Sequence, residues 1–269
     1  MTVETNGNIN INIKQAQARV RAEEAVTNDK LDAYETFIRR VQGLETDQTP
    51  TSVAGVTAAG GTTHFSADTY SVDGCRTVRT AFTETIYPHI IADSDETESI
   101  LETISEELTD AIAVALAPTT EVSFTTDIKQ IVLAEAQSCR SETAVLQQAL
   151  AREKTHLTAV TVVVDDIIAW IDDVNETPLT ELDFDALKQR HETLTDHRDC
   201  CEDVAHDRQA FLQETTNDCI DAGIRHRSLI PYLYQDFPVD HPVLATITTL
   251  NQLCRSCQRT VRDHLVRRV

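Results

Sequence analysis

The sequence predicts an all-α protein, an elongated helical bundle built on a long antiparallel coiled-coil hairpin, and three observations carry that prediction. Cys139, Thr143, Leu146, Leu150, Glu153, Leu157, Val160, Val164, Ile167, Ile171 and Val174 recur at alternating steps of four and three. A repeat of that kind gives a helix one stripe that a partner helix must cover. Glycine and proline number only seven each in 269 residues and aromatic residues are few, so little breaks a helix or favours a strand. Finally, Asn175-Glu-Thr-Pro178 is a short turn before a second helical pattern. A short connection makes two long helices antiparallel neighbours.

Only Thr143 and Glu153 interrupt the apolar stripe. Asp165 and Asp166 fall at b and c of the heptad, facing out. Val163 and Trp170 fall at g and Ile168 at e, which widens the apolar face beyond a two-stranded seam and favours a bundle.

Taken in order, residues 1–12 read as a disordered polar start and 13–44 as an N-terminal helix carrying Val20, Thr27, Leu31, Tyr34, Ile38 and Val41. Residues 45–74, rich in Gly, Ser and Thr, read as a linker in which 63–70 alternates enough for a short strand. Residues 75–117 predict two shorter helices. The first carries Cys75, Val78, Phe82 and Ile86 and ends near Pro88; Asp93 and Glu96 are spaced as a capping box for the second. That second helix presents Leu101, Ile104, Leu108, Ala111, Ile112 and Ala115, and Pro118 stops it. Residues 126–230 form the long antiparallel hairpin. Its second arm has the weaker seam: Leu187, His191, Leu194, Arg198, Cys201, Ala205, Arg208, Leu212, Thr215, Cys219, Ala222, His226 and Leu229. Tyr232 to Pro242 reads as a loop, and 240–268 as a C-terminal helix packing on the hairpin through Val243, Ile247, Leu250, Cys254, Cys257, Val261 and Leu265.

The formal charge is −21, from 23 basic and 44 acidic residues, with lysine only at 14, 30, 129, 154 and 188. This balance resembles proteins of salt-accumulating archaea. At molar salt the screening length is only about 3 Å, so crowded carboxylates repel one another little. The same field opposes binding of phosphate backbones and anionic membranes. The start of the chain has neither a basic nor an apolar segment typical of a secretion signal, and Asp165 and Asp166 interrupt the best approach to a membrane span. The expected location is the cytoplasm. Seven cysteines, at 75, 139, 200, 201, 219, 254 and 257, are an odd set scattered through helical pattern, unlike a secreted disulfide framework.

Between Cys75 and Leu157 the chain resembles a haloarchaeal helical family of unknown function. The resemblance rests on Cys75, Val78 and Arg79 in a Cys-x-x-Val-Arg start, on Phe124 and Thr125 opening a helix, and on Arg152 and Glu153 before a leucine. It implies habitat and architecture and transfers no catalytic residue.

Candidate chemistry gathers at the second arm and the last helix. Cys200, Cys201, Cys254 and Cys257, with His197, are the candidate metal ligands, because zinc takes four soft ligands and thiols at i, i+3 supply half such a set. Against this, Cys201, Cys254 and Cys257 occupy seam positions, where a free cysteine packs as a small hydrophobe. Arg255, Arg259, Arg262, Arg267 and Arg268 at the C-terminus suit phosphate contacts, but also suit the negative end of a helix dipole, which the overall charge favours. His191, Arg198, Arg208 and His226 lie on a seam where buried polar residues more often fix helix register than bind ligands. No nucleophile elbow, phosphate loop or His-Glu-x-x-His is present.

These readings favour a non-catalytic structural or protein-interaction module, a scaffold or regulatory protein with a protein partner, no cofactor and coiled-coil faces that allow homo-oligomers. A metal- or redox-responsive regulator using the four cysteines is the alternative. A nucleic-acid binder acting through the C-terminal arginines is the weaker one.

Overall fold

A computed structural model describes residues 9–47, 73–90, 99–120, 122–221 and 229–268, with side chains of 215–221 left aside. Every regular element among them is a helix: α1 (Ile11–Gln42), α2 (Gly74–Thr85), α3 (Tyr87–Ile90), α4 (Ile100–Glu107), α5 (Asp110–Leu116), α6 (Thr126–Asn175), α7 (Phe184–Asp221), α8 (Leu229–Tyr234) and α9 (Pro242–Val266). The expected short strand at 63–70 and the Asp93–Glu96 capping box lie outside the described residues. The chain divides into two compact units, one from 26–146 and one from 1–25 with 147–269, so α1 and α6 each contribute to both.

In the 26–146 unit the core gathers Tyr34, Phe37 and Val41 of α1 with Cys75, Val78 and Phe82 of α2, then Ile104, Ile112, Leu116, Phe124 and Val132. Phe37 meets Phe82 edge to face, ring centres 6.0 Å apart, the geometry that aromatic quadrupoles prefer. Phe124 enters this core held on both sides by Asp47. Its amide donates to the Asp47 carboxylate at 2.8 Å, and its carbonyl accepts from the Asp47 amide at 2.9 Å. The Lys129 ammonium donates to the carbonyls of Gln42 (2.8 Å) and Leu44 (2.7 Å), satisfying orphan acceptors where α1 ends.

Gly74 opens α2 directly against Phe124: a Cβ there would lie 2.6 Å from the Phe124 Cβ. Because Asp47 fixes the Phe124 backbone, the ring has little room to yield. Gly74→Ala is expected to cost about 1–3 kcal/mol by overpacking, read as a lower urea midpoint. An unchanged midpoint would mean that Phe124 moves aside freely.

The two short helices expected over 75–117 are four pieces. α4 is started by a capping box, Ser99 accepting from the Glu102 amide while Glu102 accepts from the Ser99 amide. The following helix then breaks at Leu108, whose backbone leaves helical values (φ −106°, ψ −90°), and restarts with Thr109 capping the Ile112 amide. The break turns the stripe: Ile112, Ala113 and Leu116 are buried, whereas Ala111 faces solvent and Ala115 is half-buried.

In the second unit side-chain pairs fix the helix directions. Asn10 bonds Asp165, Gln17 bonds Thr161 and Glu24 pairs with Lys154, so the start of α1 runs antiparallel to α6. Across α6 and α7 the pairs are Glu153 with Arg208, His156 with Phe211 and Trp170 with His197. On α6, Leu150, Glu153, Leu157, Val160, Val164, Ile167 and Ile171 are all buried, with Asp165 and Asp166 exposed. Leu187, Leu194, Cys201 and Arg208 are buried on α7 at exact steps of seven, alternating with half-buried His191, Arg198, Ala205 and Leu212.

The closest backbone pairing here is α7 with α9, not α6 with α7. Interaxial distance follows the side chains at the contact. Small Cys201 and Cys254 are fully buried on α7 and α9, whereas α6 and α7 are bridged by Glu with Arg and Trp with His.

Two boundaries differ from expectation at the ends. Ile9 is buried, so the segment placed in a disordered start is ordered from there, and α1 begins at Ile11. Residues 229–234, assigned partly to the hairpin and partly to a loop, form α8. Pro231 is tolerated because the first-turn amide it lacks has no partner within a helix.

Candidate functional site

The densest buried polar cluster of the described residues is built where α6, α7 and α8 meet. Glu153 occupies a seam position of α6, Arg208 a seam position of α7 and Tyr234 the end of α8, and each is 0–1% exposed. The Arg208 guanidinium donates twice to Glu153, Nη1 to Oε2 at 2.7 Å and Nη2 to Oε1 at 2.9 Å. The Tyr234 hydroxyl donates to Oε1 at 2.6 Å. Both carboxylate oxygens are therefore engaged, and the two-pronged contact fixes orientation as well as charge. Burial, and then the negative charge of Glu153, raise the Tyr234 hydroxyl above its ordinary value, so it stays a donor.

Around this core His156 places Nδ1 3.5 Å from Arg208 Nη1 and lays its ring against Phe211, centres 4.8 Å apart. The guanidinium also sits over the Phe211 ring at 5.1 Å. Burial, and then the positive charge of Arg208, lower the His156 pKa, holding the imidazole neutral. A carboxylate so fully engaged is poorly placed to accept a substrate proton. The cluster ties three helices in one register.

The same logic governs α7 and α9. Arg198 donates from Nε to Asn251 at 3.2 Å and from Nη1 to Gln258 at 3.1 Å, and Gln258 donates to Thr195 at 2.7 Å. Sequence reasoning placed Glu153, Arg198 and Arg208 on seams and assigned the arginines to register. It missed Tyr234, read as loop, and His156; a buried aromatic two positions past Leu233's neighbour Tyr232 carries no periodic signal of its own.

Four of the five candidate ligands, the cysteines, lie near one another on α7 and α9. Cys201 and Cys254 are fully buried, while Cys200, Cys257 and His197 are half-buried. His197 lies edge-on to Trp170, and burial lowers its pKa. Among the described residues no group of three or more His, Cys, Asp or Glu side chains is arranged to hold a metal ion. Of the seam residues proposed further along, Cys219 and His226 fall outside the described side chains.

The other unit has its own polar cluster. Tyr34, fully buried, donates to Glu107, which Lys30 also pairs at 2.7 Å. The Cys139 thiol donates to the Glu107 carbonyl at 3.2 Å, and burial with the Glu107 charge pushes it up to about 11. Against an ordinary thiol at 9.0, that leaves roughly a hundredfold less thiolate at neutral pH. Alkylation of Cys139 by iodoacetamide at pH 8 is expected to be slower than that of a free thiol by about this factor, measured by peptide mass spectrometry. Equal rates would contradict the burial.

Of the C-terminal arginines, Arg268 donates to the carbonyls of Thr180 (2.6 Å) and Leu179 (3.4 Å) in the turn before α7. Arg255, Arg259, Arg262 and Arg267 are exposed.

Fold and site together define a class: an all-helical protein whose buried charged side chains join one helix to another. No helix among the described residues is long and apolar enough to cross a membrane. Residues 12–258 match a family described as a domain of unknown function, DUF7260, and the chain belongs to that family. The match extends well beyond the 75–157 segment on which a resemblance to an uncharacterised family was expected. No curated protein and no solved structure matches the chain.

Proposed function

We propose that the protein is a non-catalytic structural or interaction module, a scaffold or regulatory coiled-coil protein working in the concentrated salt of a halophilic cytoplasm. The observation that supports this most is the Glu153–Arg208–Tyr234 cluster. A buried ion pair adds little net stability, because desolvation offsets attraction, and its best-attested use is to specify which helices pair and in what register. In this reading α6 and α7 act as an antiparallel coiled-coil hairpin, and the outward acidic faces stay hydrated in high salt. A homo-oligomer through coiled-coil faces belongs to the same reading. The net charge of −21 supports a protein partner over nucleic acid.

Affinity purification of the full chain in high potassium, with partner identification and elemental analysis of the same sample, tests the reading. A protein retained reproducibly, with zinc far below one atom per chain, is the expected outcome. An empty capture with about one zinc per chain, and unfolding on chelation, would replace this reading with a metal-dependent one.

A further inference from the structure

We propose that α7 and α9 carry the two halves of a self-complementary dimer interface, an arginine stripe on α9 docking antiparallel onto an aspartate stripe on α7 of a second copy of the chain. Arg255, Arg259 and Arg262 are exposed on α9, and Asp196, Asp199 and Asp203 are exposed on α7. At 3.6 residues per turn, each trio falls within about 60° of its helix circumference and along about 10 Å of its length. Read antiparallel, the arginines step by three and then four from Arg262 to Arg255, and the aspartates step by three and then four from Asp196 to Asp203. One register therefore aligns Arg262 with Asp196, Arg259 with Asp199 and Arg255 with Asp203. Val266, 70% exposed and one turn beyond Arg262, extends the stripe with an apolar contact.

Neither stripe is used within the chain. The ion pairs of α7 join Lys188 to Glu192, Arg198 to Glu202 and Arg208 to Glu153, passing over all three aspartates. Among the described residues no ion pair engages Arg255, Arg259 or Arg262. Cations without a local anion select an anionic partner. The net charge of −21 opposes a phosphate backbone, and counterion release weakens such contacts steeply as salt rises. A second copy supplies carboxylates at the matching steps. In molar salt the screening length of about 3 Å suppresses long-range repulsion between two acidic copies, while a two-pronged arginine–carboxylate contact of about 2.8 Å stays inside it. Symmetry then closes the assembly. Within one copy α7 and α9 run antiparallel, with Thr180 meeting Arg268, Thr195 meeting Gln258 and Arg198 meeting Asn251. A twofold axis along these helices sets each α9 antiparallel to α7 of the other copy, and two equivalent contacts close a dimer rather than a filament.

The inference rests on the reading of the chain as an interaction module and names its partner. Sedimentation of the full chain over a range of concentrations in molar potassium chloride tests it. The expected result is a monomer–dimer equilibrium for the parent and monomers for two variants, Arg255→Glu with Arg259→Glu and Arg262→Glu, and Asp196→Lys with Asp199→Lys and Asp203→Lys. An equimolar mixture of the two should regain the dimer, because each reversed stripe meets its complement. If either triple variant lowers the urea midpoint, Arg259→Gln and Asp199→Asn carry the test alone, each expected to weaken the dimer about tenfold or more. A parent that stays monomeric, variants that dimerise like the parent, or a mixture that stays monomeric would overturn the interface. So would duplex DNA retained in the same salt by the parent and not by the α9 variant. A monomeric chain that still captures a different protein would sink the dimer and leave the interaction reading standing.

Discussion

Replacing Glu153 by alanine is expected to lower the unfolding free energy by about 3–5 kcal/mol, because Arg208 is then left charged, buried and unpaired. The effect is large because the guanidinium is only 1% exposed, so water cannot take over the lost contacts. Arg208→Ala should cost a comparable amount by stranding the carboxylate. Tyr234→Phe removes only one donor to a charged acceptor and should cost about 1.5–3 kcal/mol. Urea unfolding followed by circular dichroism orders the three. Hydrogen exchange adds location: the Glu153 variant should lose protection first in α6 and α7 near residues 153 and 208, where the paired side chains lie. A Glu153→Ala protein as stable as the parent would show that the buried pair is not formed.

The second large effect lies in the other unit. Phe82 is fully buried and meets Phe37 edge to face. Phe82→Ala should cost about 3–5 kcal/mol, combining the lost transfer energy with the cavity that Phe37, Val78 and Ile104 cannot fill. Exchange protection should fall mainly in α2, α4 and α5, and a conservative Phe82→Leu should recover much of the loss because it restores apolar volume. Equal costs for alanine and leucine would point instead to a specific ring–ring contact as the main contribution.

The heptad in α6 was legible because a single physical cause acts along its length: residues at steps of three and four share one face, and that face is covered. Leu157, Val164 and Ile171 are buried and Asp165 and Asp166 exposed, as the spacing alone requires. The polar interruptions were visible too, Glu153 on one seam and Arg208 on the other. Their partnership was not, since they stand 55 residues apart and only the turn between α6 and α7 sets which levels meet. The tight pairing of α7 with α9 was hidden for a similar reason. Seam strength in sequence counts apolar residues, whereas distance between axes depends on their size, and buried Cys201 and Cys254 are small beside Trp170 and His197.

Short-range features failed differently. The break at Leu108 and Thr109 carries no proline or glycine, so nothing in composition marks it; the Thr109 cap competes with continuation of the helix through its own hydroxyl. At α8, the segment from Tyr232 was read as a loop, although Pro231 just before it sits where a helix needs no amide. That one misreading removed Tyr234 from view and with it the third member of the buried cluster.

A double-mutant cycle at Glu153 and Arg208, read by urea unfolding, bears most directly on the idea that buried charges set helix register. With Glu153→Leu and Arg208→Met made singly and together, each single change should be strongly destabilising and the pair should cost far less than their sum, because two apolar side chains leave no stranded charge and only the Tyr234 hydroxyl loses its acceptor. If the two losses simply add, Glu153 and Arg208 are not partners, and the register attributed to them must come from elsewhere.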